Sequence, residues 1–200
     1  MMTAIIDYGA GNIFSVKNAL DYLECPCELT DDPLKIKNAD RLILPGVGAF
    51  PKAAAMLREK GLWELIKEQA HIKPFLGICL GMQLMFDKSL EFGETEGLGL
   101  VSGTVELMET GELSLPHIGW NSLEFTKECP IFNGVDDGAY VYFVHSYAAV
   151  CEDAAAAVCD YAGTRTAAAY DGRYAYGCQF HPEKSGETGL KILRNFAELK

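Results

Sequence analysis

Pro74-Phe75-Leu76-Gly77-Ile78-Cys79-Leu80-Gly81-Met82-Gln83 is an apolar run of strand length that passes straight into a segment of helical spacing from about Leu80 to Met85. A buried strand over 74–78 that meets a helix at Cys79 is half of a parallel β-α unit. The same alternation extends toward the N-terminus. Ala4-Ile5-Ile6, Cys27-Glu28-Leu29 and Arg41-Leu42-Ile43-Leu44 read as short strands, and Ile13 to Leu23 and Ala49 to Ala70 carry apolar residues at helical spacing, the latter broken at Gly61. Strands joined by helical crossovers return to the same end of one sheet, so an α/β fold with a mainly parallel central sheet flanked by helices is expected. After Leu98 the texture becomes short extended segments between Gly, Pro and Asn, among them Tyr140 to His145 and Tyr174 to Phe180. These predict extra antiparallel strands in the second half. Lys191 to Leu199 predicts a closing helix, and nothing resembling a linker or repeat divides residues 1–200, so one domain is expected.

Composition narrows the function. The 200 residues hold 17 basic and 28 acidic side chains, a formal charge of −11, with 49% hydrophobic and 22% charged residues. That is ordinary globular composition, and no basic run is available to track a phosphate backbone, which argues against nucleic acid as a partner. No window approaches the roughly 18 apolar residues of a membrane span, and the N-terminus lacks the basic and apolar regions of a signal peptide. Seven cysteines, an odd number, predict reduced thiols and a cytoplasmic address. Cys25 and Cys27 stand too close for a zinc knuckle and the histidines lie far apart, so neither a metal nor another cofactor is expected.

Two glycine loops fail as nucleotide loops. Gly9-Ala10-Gly11 has Phe14 where the third glycine of a dinucleotide fingerprint belongs, and Gly46-Val47-Gly48 has Pro51 there. Gly77-Ile78-Cys79-Leu80-Gly81 is more specific: it repeats the nucleophile elbow Gly-x-Ser-x-Gly with sulfur in place of oxygen. The glycines allow a strained strand-to-helix turn, and the following helix N-terminus is expected to favour the Cys79 thiolate. Such a nucleophile needs a base held by a third group. Gln179-Phe180-His181-Pro182-Glu183 supplies one, because residues two apart on an extended segment share a face and bring Glu183 to the His181 imidazole. His71, His117 and His145 have no carboxylate two residues away and rank lower as the base.

Taken together, Gly77 to Gln83 and Gln179 to Glu183 resemble the class I (triad) glutamine amidotransferases. Further stretches resemble the branch of that family in which a glutaminase subunit serves histidine biosynthesis: Gly9 to Asn12, Pro45 to Phe50, Pro116 to Asn121, Tyr142 to Tyr147 and Gln179 to Ser185. The resemblance covers essentially the whole chain. It implies a flavodoxin-like fold, L-glutamine as substrate and a triad of Cys79 as nucleophile, His181 as base and acid, and Glu183 as orienting carboxylate. It implies oxyanion donors at Leu80 and at Val47 or Gly48, and substrate contacts from Gln83, Ser146 and Tyr147. It also implies a heterodimer with a (β/α)8-barrel cyclase subunit, contacted through Asn12, Trp120, Tyr142 and Lys184. Three rivals stay open: a glutaminase serving pyridoxal phosphate or anthranilate synthesis, a cysteine hydrolase of the same fold, and a binding module with an inert Cys79.

Overall fold

The computed structural model describes residues 1–151 and 153–199. The first half alternates as β1 (Thr3–Ile6), α1 (Ile13–Tyr22), β2 (Cys27–Thr30), α2 (Pro33–Asn38), β3 (Arg41–Gly46), α3 (Phe50–Glu59), α4 (Trp63–Ala70) and β4 (Phe75–Cys79). These four strands pair in parallel, in the order β2, β1, β3, β4. Every residue of β1, β3 and β4 is buried, which is why they read as continuous apolar runs. Within each strand neighbouring residues serve opposite cores. Ile5, Ile43, Leu76 and Ile78 pack with Val16, Leu20 and Phe196, while Ile6, Leu42, Leu44 and Phe75 pack with Phe50, Leu57 and Ile66.

The helix expected over Ala49 to Ala70 is two helices, parted where Gly61 takes a φ of +68°. Helix α2 escaped the sequence analysis. It is six residues long with Ile36 as its one buried side chain, so it has no apolar period; Pro33 in its first turn and the Asp32 carboxylate, accepting from the Leu34 amide at 2.8 Å, start it instead.

The second half supplies α5 (Leu80–Gln83), β5 (Phe86–Ser89), β6 (Thr95–Glu96), β7 (Val101–Leu107), β8 (His117–Ser122), β9 (Glu124–Phe125), β10 (Tyr140–His145), β11 (Tyr147–Val150), β12 (Ala155–Asp160), β13 (Thr164–Tyr170), β14 (Ala175–Cys178) and α6 (Gly186–Glu198). Strand β14 returns to the central sheet parallel to β4, and β13, β12 and β9 extend it antiparallel. Strands β11, β7, β5 and β6 form a second sheet, and β8 with β10 an antiparallel ribbon. Helix α6 begins five residues before the expected Lys191, because Gly186 and Gly189 interrupt the apolar pattern of its first turns. Parallel strands β3, β4 and β14 all end at one edge of the sheet, and the chain leaving each of them meets in a single crevice there, where open α/β sheets bind ligands.

Candidate active site

Cys79 ends β4 and begins α5 with φ 54° and ψ −110°, a left-handed conformation that costs a non-glycine residue energy. Its neighbours show what enforces it. A Cβ on Gly81 would lie 1.7 Å from the Leu44 carbonyl oxygen of β3, and one on Gly77 would lie 2.5 Å from the Gly81 oxygen. The turn therefore closes only with glycine at both places, which gives the elbow motif its physical cause. The helix after it is shorter than expected, one turn over Leu80–Gln83 in place of Leu80 to Met85. A single turn sums few peptide dipoles, so the expected macrodipole effect is small here. Gln179, fully buried on the segment after β14, points its Nε2 at the Cys79 sulfur at 3.8 Å.

His181 lies beside that sulfur, and its Nδ1 meets Glu183 Oε1 at 2.8 Å, with both side chains buried. The expected contact is present, but its reason differs: Pro182–Lys184 is a 3-10 turn, so the turn, and not strand alternation, brings the carboxylate back to the ring. Burial lowers the His181 pKa, while Cys79 and Glu183 raise it, and the net result is about 9. Nε2 of His181 has no other hydrogen-bond partner among the described residues, and the Cys79 sulfur beside it, by hydrogen bond and charge, helps to hold its proton. The imidazolium is thus favoured at neutral pH, with a proton ready on the side of the sulfur. Ser185 holds the turn in place: its Oγ donates to the His181 carbonyl at 2.6 Å and accepts from the Tyr142 amide at 3.0 Å. The His181 amide in turn donates to the Tyr142 carbonyl at 2.9 Å.

A cleft of about 560 Å³ opens above these groups, walled by Cys79, Leu80, His181, Val47, Gly48, Gln83, Ser146, Tyr147 and Lys184. The structure thus brings the expected oxyanion and substrate residues to one place. Val47 and Gly48 form the lip, with Val47 46% exposed and Gly48 at φ +96° in open space. Gln83 has both amide hydrogens engaged, one on the Tyr147 carbonyl at 2.8 Å and one on Gln179 Oε1 at 3.1 Å, leaving Oε1 for a ligand. Trp120 stands edge-on to Tyr142 at 6.0 Å, and Lys184 Nζ lies 5.9 Å from the Tyr142 ring centre. Asn12 caps α1, which packs against the Pro182–Lys184 turn, and its Oδ1 accepts from Ser15 Oγ at 2.8 Å.

Three buried groups in or beside the cleft were missed. Glu91 lines it, with Oε2 accepting from the Phe50 amide at 2.7 Å at the start of α3. Its surroundings, Leu90-Glu91-Phe92-Gly93, carry no pattern that marks a site. Tyr8 is fully buried, and its hydroxyl, which a Cβ on Gly46 would approach to 2.7 Å, has no partner among the described residues. Burial, with the nearby Cys79, keeps its phenol protonated. Gln179 was legible only as part of the motif around His181.

The comparisons with known proteins agree with this geometry. The family described as "Glutamine amidotransferase class-I" matches residues 4–199. The chain is 51% identical to the imidazole glycerol phosphate synthase subunit HisH of Caldanaerobacter subterraneus subsp. tengcongensis, over 99% of this chain and 98% of that one. It is 49% identical to the protein of the same name from Sulfurimonas denitrificans, over 100% and 99%. A crystal structure of a glutamine amidotransferase superposes with a TM-score of 0.77 at 17% identity, covering 98% of this chain and 99% of that one, a likeness of fold. A match across nearly all of the chain, joined to the elbow cysteine and its histidine, makes this protein a member of the class I glutamine amidotransferase family.

Proposed function

We propose that this chain is the glutaminase subunit of an imidazole glycerol phosphate synthase, acting as one domain over residues 1–200. It hydrolyses L-glutamine to glutamate and ammonia, and hands the ammonia to a separate (β/α)8-barrel cyclase subunit in histidine biosynthesis. The observation that carries the chemistry is the line of sulfur, imidazole and carboxylate at the cleft floor, with His181 lifted to a pKa of about 9. The Cys79 thiolate attacks the amide carbon, and the oxyanion is met by the Leu80 amide and that of Val47 or Gly48. His181 gives its proton to the departing ammonia, then takes one from the water that cleaves the thioester and frees glutamate. Glu183 keeps the ring oriented throughout. Gln83 Oε1 and the Ser146–Tyr147 backbone hold the amino-acid portion, and the Glu91 carboxylate suits its ammonium group.

The cyclase docks on the face carrying Asn12, Trp120, Tyr142 and Lys184, where the exposed Trp120, edge-on to the half-buried Tyr142, gives a partner its anchor. Seven free thiols suit a cytoplasmic address. Two measurements on the chain with its cyclase test the proposal. Cys79→Ala should abolish glutamine-dependent synthesis, a loss of about 10⁴-fold or more, while synthesis from added ammonia persists. Loss of both would make Cys79 structural. The wild-type chain alone should hydrolyse glutamine about 100-fold more slowly than in the ligand-bound complex, the worth of one oxyanion donor. Equal rates would remove the partner from the mechanism.

A further inference from the structure

His117 of β8 and His145 of β10 face each other across the ribbon, 1% and 6% exposed, and neither has a part in the chemistry above. They lie inside a hydrogen-bonded chain whose directions are fixed at both ends. At one end Asn121 Nδ2 donates to the Asp160 carbonyl at 2.9 Å, so Asn121 Oδ1 is an acceptor and His117 Nε2, 2.7 Å away, must carry a hydrogen. At the other end the Tyr147 carbonyl accepts from His145 Nδ1 at 2.9 Å, so that nitrogen must carry one as well. Two neutral imidazoles hold two hydrogens, and both are now used. The contact between the rings, His117 Nδ1 to His145 Nε2 at 3.3 Å, would then set two lone pairs against each other in a buried site. No exchange of tautomers helps, because each ring nitrogen freed of hydrogen would confront a carbonyl or amide oxygen. A third hydrogen satisfies every contact.

We propose that His117 and His145 share one proton in the folded protein, and that this charged pair is a positioning element for the Ser146–Tyr147 backbone at the cleft. The Tyr147 carbonyl that accepts from His145 accepts from Gln83 too, whose other hydrogen goes to Gln179, whose amide meets the Cys79 sulfur. The bridge therefore ties the substrate wall of the cleft to its floor. His117 is stacked on Tyr161 at 3.9 Å and on Phe143 at 5.0 Å, and aromatic faces stabilise a cation. Burial opposes the proton, as do Arg165 of β13 and His181, which with His117 help lower His145 to about 4; His117 is lowered by burial too, against the Asn121 bond. Bridging must outweigh these effects for the pair to stay charged at neutral pH.

The positioning role rests on the glutaminase reading, while the proton count does not. In the full-length chain labelled with ¹⁵N-histidine, nitrogen spectra at pH 7 should show three ring hydrogens on this pair, lost as a single coupled step above neutrality. Two neutral rings at pH 7, or two independent titrations, would overturn the shared proton. Asn121→Asp, which faces His117 with a carboxylate, should carry that step to higher pH; an unmoved step would overturn it as well. In the complex with the cyclase, His117→Phe keeps an aromatic ring but no bridge, and should raise KM for glutamine about tenfold with kcat within threefold. An unchanged KM beside three observed hydrogens would overturn the positioning role, and a wild-type complex without glutaminase activity would instead sink the reading of the cleft.

Discussion

The floor and the lip of the cleft are built on opposite terms. At the floor, Gly77 and Gly81 are pressed against backbone so closely that no Cβ fits, and Cys79 is held at φ 54° between them. Gln83, Gln179 and His181 are buried, and Gln83 and Gln179 have hydrogen-bonded side chains aimed at the Tyr147 carbonyl and the sulfur. At the lip, Gly48 has nothing within 4 Å of where a Cβ would stand, and Val47 is 46% exposed. Both segments are glycine-rich loops that leave parallel strands side by side, with Gly46 of β3 paired to Cys79 of β4. The pair Gly77 and Gly81 fixes geometry; in the neighbouring loop Gly46 is packed as tightly, and only Gly48 is free of contact. On the proposed function, the nucleophile is set by the fold alone, while the second oxyanion donor is left for a partner to set.

The largest effect that tests this contrast is on stability. Gly81→Ala drives a methyl into the Leu44 carbonyl oxygen at 1.7 Å, which neither rigid backbone can relieve without parting α5 from β3. The expected cost is about 4 kcal/mol or more, read as a Tm lower by about 10 °C. A Tm within 2 °C of the wild type would show that the floor is as loose as the lip.

Glu183→Gln comes next and probes whether the floor's rigidity is electrostatic as well as steric. The variant keeps the shape and removes the charge beside His181, and kcat in the complex should fall about 10²–10⁴-fold. The pH dependence has a definite sign. His181 is raised from 6.5 to about 9 in the fold, so its stabilisation is fully present below pH 6.5 and is lost as pH rises through about 9. The stability gap between wild type and variant should be widest near pH 6 and shrink toward pH 9.5 in urea titrations. A gap that widens with pH would mean that Glu183 acts on another group.

This contrast also explains what was legible beforehand. The parallel half of the fold was plain because β1, β3 and β4 are buried on both faces and leave apolar runs, and the grouping of Cys79, His181 and Glu183 because an elbow and a histidine two residues from a carboxylate are local patterns. Helix α2 was hidden, since capping by Asp32 and Pro33 starts it with a single buried residue. Glu91 and Tyr8 were hidden for another reason. They reach the cleft through contacts between distant segments, Glu91 with Phe50 and Tyr8 with Gly46, which no spacing along the chain encodes. The 3-10 turn at Pro182–Lys184 shows that a correct contact can be inferred through the wrong local geometry.

The smallest expected effect is the sharpest on the lip itself. Gly48→Ala places a methyl in open space, so packing does not resist it, and the whole cost lies in the backbone at φ +96°. In the free chain the exposed loop relaxes to a conformation that alanine accepts, and Tm should move by less than about 2 °C. In the ligand-bound complex the loop must adopt one arrangement, and if that arrangement keeps Gly48 left-handed the variant bears about 1 kcal/mol of strain only there. The stimulated glutaminase rate should then drop about fivefold while the rate of the free chain is unchanged. A free chain slowed as much as the complex would mean that the lip is already set before the partner binds, and the division between a fixed floor and a yielding lip would fail.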